Sequence, residues 1–326
     1  MKKQLKVREA PVKVAGQGSN EGSCSVRCRF ILLSVVLALC LVPVRAAGPE
    51  RDDALTVATF NIRYGTARDG DNAWERRRTL CIGVIRTLDA DVLGLQEALA
   101  FQLDEIRAQL PGYALVGIGR DDGRRGGEHA AILVRSARFA VDRSATVWLS
   151  DTPNVPGSRS WGNAITRVCT WVRLIDLKTS SAIWVYNVHL DHQSQESRRR
   201  SVEYIAELIA QRPFADEPVI VMGDFNAGED NAVCRFLRGE IASGGGEVPP
   251  VGLVDSYRAI HPEVTQVGTF NGFADRRDGE KIDHILCSTG IEIIAADIDR
   301  TRGDGGRCPS DHDAVWAQVR IGREDR

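Results

Sequence analysis

The chain has 326 residues, of which 43% are hydrophobic, 26% charged and 6% aromatic; these fractions belong to a soluble globular protein and exclude a disordered chain, a collagen and a polytopic membrane protein. The formal charge of −2 is unevenly spread: residues 1–46 carry eight Lys/Arg and two Glu, which leaves 34 basic and 42 acidic side chains, net −8, on the remainder. An acidic body lacks the basic field on which phosphate-backbone binding rests, which counts against a nucleic-acid substrate without removing it and leaves carboxylates available for a cation.

Arg27 and Arg29 precede an apolar run from Phe30 to Val44. That run has the length of a signal-peptide core and falls short of the roughly 20 residues a spanning helix needs. Val44-Arg45-Ala46 sets small residues at the positions a signal peptidase reads. The expectation is a signal peptide over 1–46, a short linker over 47–54, one domain over 55–322, and a secreted or periplasmic product. An uncleaved anchor is the duller alternative, and Leu39 is too large for the lipoprotein-like Leu37–Cys40 to be processed. Val26, before Arg27-Cys28-Arg29, would make a more ordinary start. Cleavage removes Cys24, Cys28 and Cys40 and leaves Cys81, Cys169, Cys234, Cys287 and Cys308, an odd number, so at least one is unpaired. Cys169 and Cys287 sit in apparent strands and read as small buried hydrophobes.

Runs rich in Val, Ile, Leu and Trp predict strands at Leu55–Asn61, Asp91–Gln96, His129–Val134, Arg167–Ile175, Ala182–Leu190, Val219–Gly223, Ile282–Cys287, Ile291–Asp297 and Ala314–Ile321. Several are almost wholly apolar, as in strands covered on both faces. Helical spacing fits Trp74–Leu88, Leu99–Leu110, Ser197–Gln211 and Asp230–Gly239. Gly119–Gly127 and Ile241–Gly252 read as loops. Strands and helices alternate without a linker, which predicts an α/β fold of stacked layers, sheet on sheet with helices outside.

The chemistry-bearing residues fall at strand ends. Asn61 ends TVATFN, Glu97 ends DVLGLQE, Glu128 opens EHAAILVR, His189 lies in VYNVHLD, Asp224 and Asn226 in VIVMGDFN, Asp283 in KIDHIL, and Asp311 and His312 in SDHD. Polar groups directly after apolar strands are costly to leave unpaired. Singly, Asn61 or Asp224 could begin a turn and Glu97 could cap the following helix; together they point to one site.

TFN(I), LQE, NVHL, GDFN, IDHIL and SDH, in that order from Phe60 to His312, resemble the endonuclease/exonuclease/phosphatase superfamily, and TFNIRYGT with DGDNAWERR resembles a mostly bacterial, often secreted branch of it. The resemblance implies a deoxyribonuclease I-like four-layer sandwich of two packed mixed β-sheets flanked by helices. It implies that Asn61, Glu97 and Asp311 hold a divalent ion, and hard oxygen ligands suit Mg²⁺, with Mn²⁺ next. Asp224 would orient or deprotonate the attacking water. Asn226 would donate to a phosphate oxygen, Asp283 would orient His312, and His189 would have Glu128 as its carboxylate partner.

Hydrolysis of a phosphate ester needs charge stabilisation on the phosphoryl oxygens and an activated water, roles suited to a cation, protonated histidine and a carboxylate. A carboxylate beside each of His189 and His312 predicts that both are imidazolium. Arg167, opening a strand after a loop, is a plausible phosphate fork. Asp191 and His192 follow His189 and could touch substrate. Strand alternation turns His284 away from Asp283, and His129 from Glu128; His261, before Pro262, reads as a loop residue. In GRDDGRRGG, Asp121 and Asp122 offset Arg120, Arg124 and Arg125, and Trp148, Trp161, Trp171 and Trp184 read as core. The expectation is an exported Mg²⁺-dependent phosphoric-ester hydrolase, a phosphodiesterase ahead of a phosphomonoesterase of inositol or sugar phosphates. It would act as a monomer without an obligate protein partner on nucleic acid, a lipid head group or a small molecule. A non-catalytic binding domain on the same fold is the other class of reading.

Overall fold

A computed structural model of the chain describes residues 53–242 and 252–322. The expected signal segment with its three cysteines, and most of the Ile241–Gly252 loop, lie outside the described residues. Strands and helices follow in the order β1 (Leu55–Asn61), α1 (Trp74–Leu88), β2 (Val92–Ala98), α2 (Ala100–Gln109), β3 (Tyr113–Val116), β4 (His129–Arg135), β5 (Phe139–Trp148), β6 (Val168–Asp176), β7 (Ala182–His189), α3 (Gln195–Gln211), β8 (Val219–Asp224), α4 (Ala232–Leu237), β9 (Val254–Asp255), α5 (Ser256–Ile260), β10 (Asp283–Cys287), β11 (Ile291–Ile298) and β12 (Val315–Ile321).

The strands form two six-stranded sheets, ordered β11-β12-β1-β2-β4-β3 and β5-β6-β7-β8-β10-β9. One neighbouring pair in each sheet is parallel, β1 with β2 and β7 with β8, and the other pairs are antiparallel. Alternation along the strands sorts the side chains into layers. Leu55 and Val57 of β1, Val185 of β7, Ile220 and Met222 of β8 and Ile285 of β10 fill the space between the sheets. Phe60 and Leu95 on the outer face of the first sheet pack on Trp74, Val84 and Ile85 of α1 and Leu103 of α2. Tyr186 and Val221 on the outer face of the second pack on Val202, Ile205 and Ile209 of α3. The architecture is the predicted sandwich: helix, sheet, sheet, helix.

The inter-sheet layer is apolar over most of its depth and changes character at one end. Thr59, Asn61, Gln96, Asn187, His189, Asp224 and Asp283 continue the inward-facing registers and are all buried. Gln96 donates to Thr59 Oγ1 and to Asn187 Oδ1, at 2.9 and 2.7 Å, tying the sheets together where the hydrocarbon ends. Gly223 sits in this zone with φ of +140°, and a Cβ there would lie 2.0 Å from the carbonyl oxygen of Val188, so GDFN requires its glycine.

Three strands escape the sequence reading. β3 and β5 lie at sheet edges, where only one neighbour is needed and the apolar pattern thins; β5 carries Asp142 and Arg143 mid-run, at a register shift against β6. β9 has only two residues, and α5, with five, is too short for a helical period to show. α3 begins at Gln195 rather than Ser197, because the Ser194 side chain caps it by accepting from the Ser197 N–H at 3.1 Å. Among the described residues no helix is long and apolar enough to cross a membrane. Cys81, Cys169, Cys234, Cys287 and Cys308 are all buried free thiols.

Candidate active site

The site is the wet end of the inter-sheet layer, a cleft of about 400 Å³ lined among others by Glu97, Glu128, Arg167, His189, Asp224, Asn226, Asp311 and His312. Asn61, at the end of β1, donates through Nδ2 to Glu97 Oε1 at 3.1 Å and to Asp224 Oδ2 at 2.9 Å, so one amide joins the two sheets. Glu97 does not follow its strand, as the sequence suggested, but lies inside β2 where the pairing with β4 slips between Leu95 and Ala98. Its φ of +60° and this bulge redirect the carboxylate. It does not cap α2, whose flanking residue is Leu99. The Tyr64 N–H holds Glu97 Oε2 at 3.1 Å.

His312 Nδ1 donates to Asp283 Oδ2 at 2.8 Å, and its Nε2 lies 3.8 Å from Asp224 Oδ2. Burial alone would lower this imidazole's pKa, but Asp283 and Asp224 together raise it well above its ordinary value. The Asp224 carboxyl is itself pushed up by burial and by Asp283. His189 Nε2 approaches Asp224 Oδ2 at 3.5 Å.

The expectation for His189 needs correction. Glu128 Oε2 is 4.0 Å from His189 Nδ1, outside hydrogen-bonding distance. Its carboxylate instead takes a two-point pair from Arg120, at 2.7 Å to each oxygen. Burial, reinforced by Arg167 and Arg120, holds the His189 pKa well below the usual imidazole range. The two histidines are therefore an unlike pair, one biased by its carboxylates toward the charged form and the other by burial and its arginines toward the neutral one. Glu128 is pushed up to about 7 by burial, against the pull of Arg120.

Asn226, at φ of +48°, spends one side-chain N–H on the Leu190 carbonyl at 3.0 Å, which leaves the second for the cleft. Arg167 is buried, with Nε 3.5 Å from Asp191 Oδ2 and an Nη 3.0 Å from His192 Nδ1. Asp191 shapes the loop by accepting from the N–H groups of Gln193 and Ser194. Arg120 lines the cleft, where it pairs with Glu128 and lies 3.9 Å from Asp121 Oδ1, so the acidic neighbour offsets it as expected; Arg125 pairs outside with Asp104. His129 faces Ala98, and His284 lies on the outer face of β10 away from Asp283, as strand alternation predicted. His261 bonds the Ala296 carbonyl. Trp148, Trp171 and Trp184 are buried in the cores and Trp161 packs against one.

Sequence reasoning missed Arg63, Arg77 and Phe270. Arg77 of α1 is fully buried and spends its guanidinium on four carbonyl oxygens, of Asn72, Ile62, Pro309 and Arg63, at 2.8–3.0 Å. It clamps the chain after Asn61 against the chain before Asp311. Its only sequence signal was an arginine at an inward helical position of WERRRTL. Phe270 is half-exposed at the cleft mouth, edge-on to His312 with ring centres 5.2 Å apart.

Glu97, Asp224 and Asp311 face one cleft in which Arg63 is the guanidinium set against Glu97 and Asp311. That excess of hard oxygen donors fits a divalent cation. Asp224, Asp283 and His312 also place ligand-type atoms within 4.8 Å of one another, but the Asp283–His312 hydrogen bond already occupies part of that set.

A family model described as "Endonuclease/Exonuclease/phosphatase family" matches residues 58–312. The chain is 29% identical to the solved endonuclease/exonuclease/phosphatase from Bacteroides vulgatus, covering 82% of this chain and 99% of that one with a TM-score of 0.72. It is also 29% identical to the solved mannosyl-6-phosphatase of Bacteroides thetaiotaomicron, over 81% and 99% of the two chains, with a TM-score of 0.69. A 30% identity over 167 residues links it to the uncharacterized protein L388 of Acanthamoeba polyphaga mimivirus; the match takes in 47% of this chain and 59% of the viral protein's length.

Proposed function

The chain belongs to the endonuclease/exonuclease/phosphatase family, whose members hydrolyse phosphate esters, and from this we propose that it is a divalent-metal-dependent phosphoric-ester hydrolase acting on a small, polar phosphate monoester. The observation that carries the reading is the convergence of Asn61, Glu97, Asp224, Asp311 and His312, from four separate segments of the chain, on one cleft in which His312 is hydrogen-bonded to Asp283. The monoester preference rests on the likeness to the mannosyl-6-phosphatase, with Arg167 the guanidinium of the cleft that faces the phosphoryl group.

In this mechanism the phosphoryl group lies between His312 and Arg167. His312 donates from Nε2 to a phosphoryl oxygen, the neighbouring Asp283 keeping the proton on the ring. Asp224 accepts a hydrogen bond from the attacking water and takes its proton as the new P–O bond forms and the P–O bond to the leaving alcohol breaks; the departing alkoxide takes up a proton, passed on from Asp224 by way of His189 or from solvent, so that alcohol and inorganic phosphate leave. Asn226 donates its free N–H to a second phosphoryl oxygen. Neutral His189 orients Asp224 and can relay a proton. Glu97, Asp311 and Asn61 would hold Mg²⁺ or Mn²⁺, which supplies neutralisation of developing phosphoryl charge.

A diester is the second reading; the half-exposed ring of Phe270 beside His312 offers a face on which a leaving-group ring can lie. Export, read from Phe30–Val44 and Ala46, is part of the proposal, and N-terminal sequencing of secreted protein tests it. The substrate test is parallel incubation with mannose 6-phosphate, p-nitrophenyl phosphate, bis-p-nitrophenyl phosphate and plasmid DNA, each with Mg²⁺ and with chelator. Chelator-sensitive turnover, fastest on a monoester, is expected. Faster turnover of the diesters would reverse the preference, and turnover indifferent to chelator would remove the metal.

A further inference from the structure

β1 ends at Asn61, and the chain immediately presents Arg63 at φ of +56°, a conformation that costs energy for a side chain of this size. Four contacts hold it there. The Arg63 N–H donates to Asn61 Oδ1 at 3.0 Å, its carbonyl accepts from Arg77 and from Gln102 Nε2, each at 3.0 Å, and the next N–H, of Tyr64, is fixed by Glu97. The result is a guanidinium aimed into the cleft from a rigid base. It bonds Asp69 through Nε at 3.1 Å and an Nη at 3.0 Å, while lying 3.7 Å from Asp311 Oδ2 and 4.0 Å from Glu97 Oε2. It is thus hydrogen-bonded to one carboxylate outside the proposed cation set and in Coulomb contact with two inside it.

The geometry points to Arg63 and Asp69 as a positioning pair that sets the affinity of the cation site, Asp69 being the carboxylate that holds the guanidinium off Glu97 and Asp311, which would hold the dication. This rests on the proposed cation-holding role of Glu97 and Asp311. Like charges repel across the short distances seen here, so an unrestrained Arg63 competes with the ion. Asp69 offsets that competition by holding the guanidinium back with two bonds. Neither residue needs to touch the metal. The pair makes a signed prediction that a scaffolding role does not: loss of the cation and loss of its holder move metal affinity in opposite directions.

The test is calorimetric titration of the purified full chain with Mn²⁺ in phosphate-free buffer, with circular dichroism to confirm folding. Arg63→Met is expected to bind Mn²⁺ about tenfold more tightly than the unaltered chain, and Asp69→Asn several-fold more weakly. Arg63→Gln carries the same expectation should the methionine variant fail to fold. Unchanged or weaker binding by the Arg63 variants, or shifts of one sign in both residues, overturns the inference. Glu97→Gln separates the two readings. If it abolishes Mn²⁺ binding while Arg63→Met changes nothing, the site stands and the pair's role falls. If Mn²⁺ binding survives Glu97→Gln, the cation site itself has been misplaced.

Discussion

His312 is biased toward imidazolium by two carboxylates, and each can be removed separately. Asp224→Ala and His312→Ala are each expected to lower turnover by about 10²–10⁴-fold with the circular dichroism spectrum unchanged, since the proposed mechanism sets both groups on the reacting atoms. An active His312→Ala enzyme would remove the mechanism. Asp283→Asn is a finer probe. Asp283 raises the His312 pKa, so its loss lowers that pKa and the charged form disappears at a lower pH. The alkaline limb of the rate–pH profile is therefore expected to move to lower pH, and a limb that stays in place would show that another group governs it. The behaviour of His189 was not legible from residue types. NVHL and EHAAILVR are visible in the sequence, but whether Glu128 serves His189 or Arg120 is decided by a loop conformation that no local pattern encodes.

Elements decide where these residues can stand. Asn61, His189 and Asp224 were readable as strand-end residues because apolar runs stop beside them, whereas the bulge that turns Glu97 was not, and the inward or outward sense of Asp283 and His284 followed from alternation alone. Arg63 and Arg77 were not readable, since their roles come from a left-handed turn and from carbonyl oxygens supplied by Asn72, by Ile62 and Arg63, and by far-off Pro309. β3 and β5 were missed because edge strands can do without the continuous apolar pattern that marks central ones. The turn from β8 into the site depends on Gly223. Gly223→Ala places a methyl group 2.0 Å from the Val188 carbonyl oxygen at φ of +140°, so it is expected to destabilise the fold by about 3 kcal/mol or more and to displace Asp224. Chemical denaturation read beside turnover checks both; near-native stability would mean that the β7–β8 pair yields more easily than its register suggests.

Across the whole molecule, a buried ionic cluster stands behind the site. Lys281, wholly buried, pairs with Asp255 at 2.7 Å and with Glu229 at 3.4 Å. Burial alone would raise the Asp255 pKa, but Lys281 and His284 pull it far below the usual carboxylate range. A depressed folded-state pKa means that Asp255 contributes stability fully present above its unfolded pKa, near 4, and lost as pH falls through the folded value. Asp255→Asn is accordingly expected to cost about 3–5 kcal/mol at neutral pH, with the gap to the unaltered chain narrowing in acid; melting curves at pH 7 and pH 3 measure it, and a gap that widens in acid would be inconsistent with the pairing. Burial pushes the Cys81 and Cys287 thiols up to about 12, so these two are expected not to react with a disulfide reagent until the chain is unfolded.

The two parallel strand pairs have a mechanical corollary. β1 with β2 carries Asn61 and Glu97, β7 with β8 carries His189 and Asp224, and the sheets meet through the Asn61–Asp224 and Gln96–Asn187 bonds. On the proposed mechanism, catalytic competence is a property of the seam between two half-sandwiches. A slip of one sheet over the other by the length of a hydrogen bond would dismantle the reacting constellation while leaving every strand and helix intact, so heat or denaturant should silence the protein before it melts.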